Sequence, residues 1–179
     1  TAAGVKDNVV QLDETHANAI ARSLEYATFT VSSMETKPYR RRPVPPFTTS
    51  TLQQTAGNRL SMSSRQTMRA AQGLYENGFI TYMRTDSVTL SQEAIAAARE
   101  AVSRHFGEKY LSDAPKQYAT KTAGAQEAHE CIRPAGAHFR DPAEIATKVP
   151  ADQLKLYTLI WQRTLACQMA DATGSTATV

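Results

Sequence analysis

Acidic residues are missing from one long stretch of this sequence. From Thr36 to Tyr75 there is no Asp or Glu, although the 179-residue chain contains 17 acidic residues. The same stretch carries seven basic residues, namely Lys37, Arg40, Arg41, Arg42, Arg59, Arg65 and Arg69, and the chain as a whole has a formal net charge of +3. Because clustered Lys and Arg gain affinity for phosphate backbones by counterion release, this stretch indicates either a surface facing a polyanion or a solvated basic face.

Cysteine is also scarce, and long apolar runs are absent. Cys131 and Cys167 occur without a CxxC pattern or a Cys/His cluster, which argues against a disulfide framework and a zinc site. We expect both to be reduced, shielded thiols in a reducing cytoplasm. No window reaches the roughly 18 apolar residues of a membrane span. With 41% hydrophobic and 21% charged residues, the composition is that of an ordinary globular chain.

The N-terminus has no signal-peptide pattern and no initiator Met, so we expect a piece of a longer protein. Helical spacing of Ala17, Ile20, Ala21 and Leu24 predicts a helix over 13–26. The alternating segment ATFTVSSME, residues 27–35, predicts a strand. The following KPYRRRPVPPF is rich in proline, which predicts an extended basic linker and a domain boundary.

Two short helices joined by three or four residues are predicted after this linker. Ser50 with Gln53, and Ser63 with Gln66, both form the S-x-x-Q pattern of a capping box, and Gly78 is placed to stop the second helix. Such a pair is a helix-turn-helix candidate. Its arginines, Arg59, Arg65 and Arg69, are the predicted DNA contacts on it.

The rest of the chain predicts mainly helix with short strands. TLSQEAIAAAREAVSRHFG predicts a helix capped by Thr89 or Ser91 and ended by Gly107. A loop-rich span follows over 108–149, and then a helix from about Ala151 to Met169. The tail ATGSTATV predicts the opening of a strand, which we expect to pair with the strand near residue 30.

The stretch GFITYMRTDS, residues 78–87, places Tyr82 two positions before Arg84. In an extended segment residues i and i+2 point to the same face, so the two side chains would project together. A phenol of ordinary pKa needs nearby positive charge to act as a nucleophile. By itself, however, this spacing is more often that of a packed ring beside a solvated charge.

A second polar cluster lies in AQEAHECIRP, residues 125–134, and contains Glu127, His129, Glu130 and Arg133. One histidine with flanking glutamates lacks the spacing of known metal sites, so we predict no metal bound by these residues. A structural, hydrogen-bonded histidine is the alternative to a functional one.

Taken together, PPFTTSTLQQTA, QGLYENGFITYMRTDS, QEAHECIRP and LYTLIWQRTLACQM resemble the central part of the bacterial DNA topoisomerase I family, the type IA enzymes. The resemblance runs from about Ala17 to the C-terminus, with the motifs in family order. It implies a cytoplasmic, ATP-independent isomerase of the bacterial nucleoid. Such an enzyme relaxes negative supercoils by passing a strand through a cut in single-stranded DNA.

The resemblance also implies roles for particular residues. Tyr82 falls on the active-site tyrosine, which becomes joined to the 5′ phosphate of the cut strand, and Arg84 falls on the arginine beside the scissile phosphate. His129 falls on a histidine that supports DNA binding. Other residues match the surrounding motif positions and are predicted DNA contacts, namely Gln72, Tyr75, Glu76, Thr81, Thr85, Asp86 and Arg133.

The Mg²⁺ cluster of the family lies in its Toprim domain, and no D-x-D-x-E pattern occurs in this chain. The cofactor is therefore expected outside this piece, which we predict cannot relax DNA alone. By the same resemblance, residues 44–169 are the tyrosine-bearing gate domain. Residues 1–43 and 170–179 are parts of a β arch domain, with the remaining domains of the enzyme as partners.

Two alternatives remain at this point. A tyrosine recombinase also uses Tyr, Arg and His, but its H-x-x-R motif precedes the tyrosine, whereas here His129 and Arg133 follow Tyr82. A non-catalytic DNA-binding module built on the helix-turn-helix is the other.

Overall fold

The computed structural model describes residues 10–118 and 129–179. Its internal contacts divide the chain into two units. The smaller consists of residues up to Pro38 together with Ser175–Val179, and the larger is Tyr39–Gly174. The predicted domain limits at 43/44 and 169/170 stay predictions, because a division by contacts does not identify an arch or a gate.

The smaller unit contains helix α1, Glu14–Glu25, as the apolar spacing predicts. Asp13 caps it by accepting a 2.8 Å hydrogen bond from the backbone N–H of His16. None of the residues of α1 is buried, and Ile20 and Leu24 are close to half exposed. The apolar side of α1 therefore contacts no core among the described residues of its own unit.

The strand predicted over 27–35 is wrong in position. Strand β1 is Glu35–Arg41, which begins at the last residue of the predicted strand and runs into the segment predicted as a linker. It pairs with β2, Ala172–Thr178, in a two-stranded sheet. Each strand of such a sheet has an open edge, so Pro38 can lack a donor there without breaking the ladder. The alternating pattern of residues 27–35 predicts a strand with one buried face. Phe29 and Val31, however, are 77% and 69% exposed, so the apolar residues of the pattern are not buried. The C-terminal strand is confirmed, but its partner is not the segment near residue 30.

In the larger unit, helices α2, Thr49–Leu60, and α3, Ser64–Glu76, are joined by three residues and pack together. The predicted capping box of Ser63 and Gln66 is confirmed. The one predicted at Ser50 is wrong, because α2 begins earlier and Thr48 forms the box with Thr51.

The core of this unit lies between α2, α3, α4 and α6. Helix α4 is Gln92–Phe106, and it begins at Ser91 and ends at Gly107 as predicted. A 3₁₀ turn at Glu108–Tyr110 and the short α5, Pro142–Ile145, interrupt the predicted loop-rich span. Helix α6, Ala151–Ala166, packs against α2, α3, α4 and α5. The fold is thus mainly helical with short β segments, as the sequence predicts.

Irregular chain crosses this helical core and pairs with it at single points. Ile132 forms an antiparallel bridge with Phe47, and Pro134 forms one with Ile80. The segment 129–135 therefore lies between the entry to α2 and the chain that leaves α3. None of the helices in the described ranges is long and apolar enough to cross a membrane.

Candidate functional site around Tyr82

Tyr82 stands just beyond the C-terminal end of α3. The helix stops at Asn77, and Gly78 continues with φ of 69°, a left-handed value that glycine adopts without strain. The chain then buries Phe79 and Ile80. These two side chains fix the start of the segment in the core, while Tyr82 is 46% exposed.

The ring of Tyr82 meets the ring of Tyr75 edge to face, with centroids 5.2 Å apart and planes at 66°. This arrangement is a favourable one for two aromatic rings. Tyr75 is itself 41% exposed. One side of the Tyr82 ring is therefore supported by α3 while part of its surface stays in contact with solvent.

Exposure alternates along the segment after Tyr82. Met83 is 1% exposed, whereas Tyr82 and Arg84 are both exposed. The expected extended strand is not present, because only Ile80 makes a β-bridge here. Met83 is nevertheless buried between two exposed residues, which is the alternation of exposure that an extended segment would give, and the side-by-side placement of phenol and guanidinium stays a prediction.

The backbone before Tyr82 is held by the segment 131–135. Thr81 donates its backbone N–H to the carbonyl of Arg133 at 2.9 Å and its hydroxyl to the carbonyl of Cys131 at 2.7 Å. The same hydroxyl accepts the N–H of Arg133 at 3.0 Å. Ala135 adds a bond to the carbonyl of Phe79 at 2.9 Å. The predicted DNA contact at Thr81 is thus half-buried, and its hydroxyl is engaged within the protein.

The backbone after Tyr82 is held by Thr49, the first residue of α2. The N–H of Thr49 donates to the carbonyl of Thr85 at 2.9 Å, and the N–H of Thr85 donates to Thr49 Oγ1 at 2.9 Å. Thr49 Oγ1 also lies 2.7 Å from the carbonyl of Met83. Sequence reasoning missed Thr49, because threonine at a helix start usually signals only a cap.

Arg133 is buried, with 7% of its surface exposed. Its guanidinium donates to Glu130 Oε2 from Nη2 at 2.7 Å and from Nε at 3.2 Å, while Nη1 donates to the carbonyl of Pro134 at 2.9 Å. Glu130 in turn accepts the N–H of Ser91 at 2.8 Å. The structure thus places this predicted DNA contact inside the protein, where it joins the 129–135 segment to the start of α4.

The carboxyl group of Glu130 experiences opposing influences. Partial burial acts to raise its pKa, but hydrogen bonds from Ser91 and Arg133 and the charge of Arg133 outweigh burial, so the pKa lies below its usual range. Glu130 is therefore ionised at neutral pH and balances the buried guanidinium.

His129 is exposed and directly precedes this anchored segment. Cys131, two residues on, accepts the hydroxyl of Thr81, which is the neighbour of Tyr82. The chain thus brings the histidine segment beside the tyrosine segment. Glu127 lies outside the described residues.

The other predicted contacts lie mainly on the surface. Gln72 Nε2 donates to Glu76 Oε1 at 2.6 Å on α3. Asp86 is exposed, and Thr85 is half-buried, with its hydroxyl accepting the N–H of Ser87 at 3.1 Å. Exposed arginines are found on α2 and α3, namely Arg59, Arg65 and Arg69.

Within residues 10–118 and 129–179, no group of three or more His, Cys, Asp and Glu side chains is arranged to hold a metal ion. The described residues therefore do not fit a Mg²⁺ site, and the location of Mg²⁺ stays a prediction.

Comparison with known proteins identifies the family. The sequence pattern of the family described as DNA topoisomerase matches residues 4–179. The chain belongs to the DNA topoisomerase family. DNA topoisomerase 1 of Streptomyces coelicolor is 55% identical over 172 residues, which are 96% of this chain and 18% of that protein. DNA topoisomerase 1 of Synechocystis is 57% identical over 164 residues, which are 92% of this chain and 18% of that protein.

A solved structure agrees with these sequence relatives. The full-length topoisomerase I from Thermotoga maritima matches with a TM-score of 0.76 at 35% identity, over 97% of this chain and 28% of that one. The resemblance to bacterial DNA topoisomerase I is thus confirmed. The chain spans 18% of the length of these two curated relatives.

Proposed function

We propose that this chain is the tyrosine-bearing segment of a type IA DNA topoisomerase, in which Tyr82 cuts one DNA strand and holds its end. One observation carries the proposal. The phenol of Tyr82 is exposed, while hydrogen bonds hold the backbone on either side of it. A nucleophile needs access to the substrate and a fixed position. The exposure of Tyr82 supports the first, and the hydrogen bonds of its neighbours support the second.

In the proposed reaction, Oη of Tyr82 attacks the phosphorus of a phosphodiester in single-stranded DNA. The phosphorus–O3′ bond breaks as the phosphorus–Oη bond forms, the phenolic proton is lost, and the 3′ oxygen takes up a proton to leave a free hydroxyl. The product is a 5′-phosphotyrosine. Arg84, which is also exposed, would stabilise the charge that develops on the phosphoryl oxygens.

The reaction exchanges a DNA phosphodiester bond for a phosphotyrosine bond of similar energy, so resealing needs no ATP. Attack by the 3′ hydroxyl on the phosphotyrosine reverses the cut after another strand has passed. In the longer enzyme, these steps would relax negatively supercoiled DNA. The other expected contacts, including His129 and the exposed residues of α3, would bind the strand.

The remaining parts of the proposal concern the longer enzyme. We assign residues 44–169 to its gate domain, residues 1–43 and 170–179 to its arch domain, and Mg²⁺ to a Toprim domain outside this chain. We place that enzyme in the bacterial cytoplasm, at the nucleoid. Magnesium bound in the Toprim domain would help to neutralise the charge on the phosphoryl oxygens.

The nucleophile can be tested in a chimaera in which this chain replaces the matching segment of the Streptomyces coelicolor relative. Incubation with Mg²⁺ and a 3′-labelled single-stranded oligonucleotide should transfer the label to the protein, whereas a 5′ label should be released. Tyr82→Phe should abolish the adduct, because it removes the attacking oxygen. Tyr110→Phe, at another exposed tyrosine that is 49% exposed, is the control and should leave the yield unchanged. An adduct formed by Tyr82→Phe would refute the assignment.

A non-catalytic DNA-binding module is the second candidate. The close pair of α2 and α3, with exposed Arg65 and Arg69 on the second helix, favours it. The same labelling experiment separates the two functions. A chimaera that bound the oligonucleotide with wild-type affinity but formed no adduct would support binding alone.

A further inference from the structure

Met83, the residue between Tyr82 and Arg84, is fully buried, and its carbonyl accepts the hydroxyl of Thr49 at 2.7 Å. The next N–H on the far side of Arg84, that of Thr85, donates to the same oxygen at 2.9 Å. One threonine hydroxyl therefore joins the backbone groups on both sides of Arg84.

The position of that hydroxyl is itself fixed. Thr49 is the first residue of α2, and its own N–H donates to the carbonyl of Thr85 at 2.9 Å. The start of α2 is closed by the capping box of Thr48 and Thr51. A helix end with its caps satisfied is rigid, so the hydroxyl is presented to the 83–85 segment from a firm support.

Tyr82 and Arg84 are held by different parts of the fold. The peptide before Tyr82 is bonded through Thr81 to residues 131 and 133, whereas the peptides around Arg84 are bonded to α2. The separation of phenol and guanidinium therefore depends on two supports at once. Loss of either one would let one group move relative to the other.

We infer that Thr49 is a positioning residue for the proposed cleavage reaction, holding Arg84 in register with Tyr82. The inference rests on the proposed function of Tyr82. Thr49 acts through the backbone of residues 83–85, because its hydroxyl lies 2.7 Å from the carbonyl of Met83 and 3.1 Å from the carbonyl of Thr85. A valine has the same shape but neither donates to Met83 nor accepts from Thr85.

The test uses the same chimaera and compares Thr49→Val, Thr49→Ala and Thr49→Ser. Displacement of a reacting group by about 1 Å can cost up to roughly 100-fold in rate. We therefore expect the two variants without a hydroxyl to form the adduct about 10- to 100-fold more slowly at saturating DNA, with a KM close to that of the parent. Thr49→Ser keeps the hydroxyl and should restore most of the rate.

The matched control is Thr164→Val, which removes a fully buried hydroxyl that bonds to the carbonyl of Ile160 within α6. Rates are expressed per folded molecule, from the fraction that retains native circular dichroism after purification. If Thr49→Val and Thr49→Ala slowed the adduct no more than Thr164→Val does, or if Thr49→Ser were as slow as they are, the inference would be overturned.

Tyr82→Phe is run in parallel to separate the two proposals. If Tyr82→Phe is inactive while the hydroxyl-free variants react normally, only the role of Thr49 fails. If Tyr82→Phe still forms the adduct, the proposed function itself fails.

Discussion

The two thiols of the chain, of Cys131 and Cys167, are both 0% exposed. Burial raises the pKa of both thiols, and that of Cys167 to about 12. The thiolate is the reactive form, so almost none is present near neutral pH. Both cysteines are thus packing residues, as the sequence predicts.

We predict that Ellman's reagent does not label the native chain within minutes at pH 8. Unfolding in urea should expose both thiols and give rapid reaction of two equivalents per chain. Rapid labelling of the native chain at either position would contradict the burial of that cysteine. Single Cys→Ser variants identify which thiol reacts.

Glu130 and Arg133 form a largely buried ion pair in the segment that holds Thr81, with side chains 30% and 8% exposed. Since hydrogen bonds to charged groups stabilise by about 1.5–3 kcal/mol, Glu130→Gln should lower the free energy of unfolding at pH 7 by about that amount. Urea denaturation of the chain measures it. Glu108→Gln, at an exposed glutamate, is the control and should have a small effect.

The same pair predicts a pH dependence. Folding lowers the pKa of Glu130, so its contribution is complete above the ordinary glutamate value of 4.5 and is lost as pH falls through the lower folded value. The stability difference between the parent chain and Glu130→Gln should therefore shrink below about pH 4.5. A difference that grew on acidification would contradict a lowered pKa.

Helix α3 has two distinct faces. Its buried residues, Thr67, Ala70, Ala71 and Leu74, face the core. At about 3.6 residues per turn, Arg65, Arg69, Gln72 and Glu76 fall on the opposite side. This stripe runs along α3 toward the end that bears Tyr75, the ring partner of Tyr82. We predict that its two arginines contact the DNA backbone in the longer enzyme.

The stripe predicts a salt dependence for DNA binding. Each lost phosphate contact reduces the slope of log affinity against log salt by about 0.7 for a single strand. In the Tyr82→Phe chimaera, the change of Arg65 and Arg69 together to Gln should reduce the slope by about 1.4. The control changes Arg104 and Lys109, exposed cations around the end of α4, to Gln. An equal reduction in the control would show that only net charge matters.

The elements differ in how well the sequence predicts them. The limits of α1, α3 and α4 follow from caps and spacing, which act within one helical turn. The strand prediction failed because alternating apolar residues indicate a strand only where one face of it packs against a core. The position of β1 depends instead on its partner β2, which lies more than 130 positions away in the sequence.

For the molecule as a whole, the chain spans 18% of the length of its curated relatives, and the proposed Mg²⁺ site lies in a Toprim domain outside it. We therefore predict that the 179-residue chain alone neither relaxes supercoiled plasmid nor forms an adduct. Addition of a matching Toprim-containing piece with Mg²⁺ should restore the adduct with single-stranded DNA. Gel electrophoresis of plasmid and of labelled protein measures both, and relaxation by the chain alone would refute the prediction.

The sequence by itself determined the long helices, the buried thiols and the family, because these depend on local spacing, composition and motif order. It also singled out Tyr82 and Arg84. Both are exposed on either side of the buried Met83, and this alternation follows from their spacing in the sequence. Only the tertiary structure decided that Arg133 is buried and that Thr49 forms hydrogen bonds with the backbone of residues 83–85. The bonds concerned join residues 34 and 50 positions apart, from Thr49 to Met83 and from Thr81 to Cys131. No local pattern encodes such pairings, since they arise when packing of the helical core brings distant backbone groups within hydrogen-bonding distance.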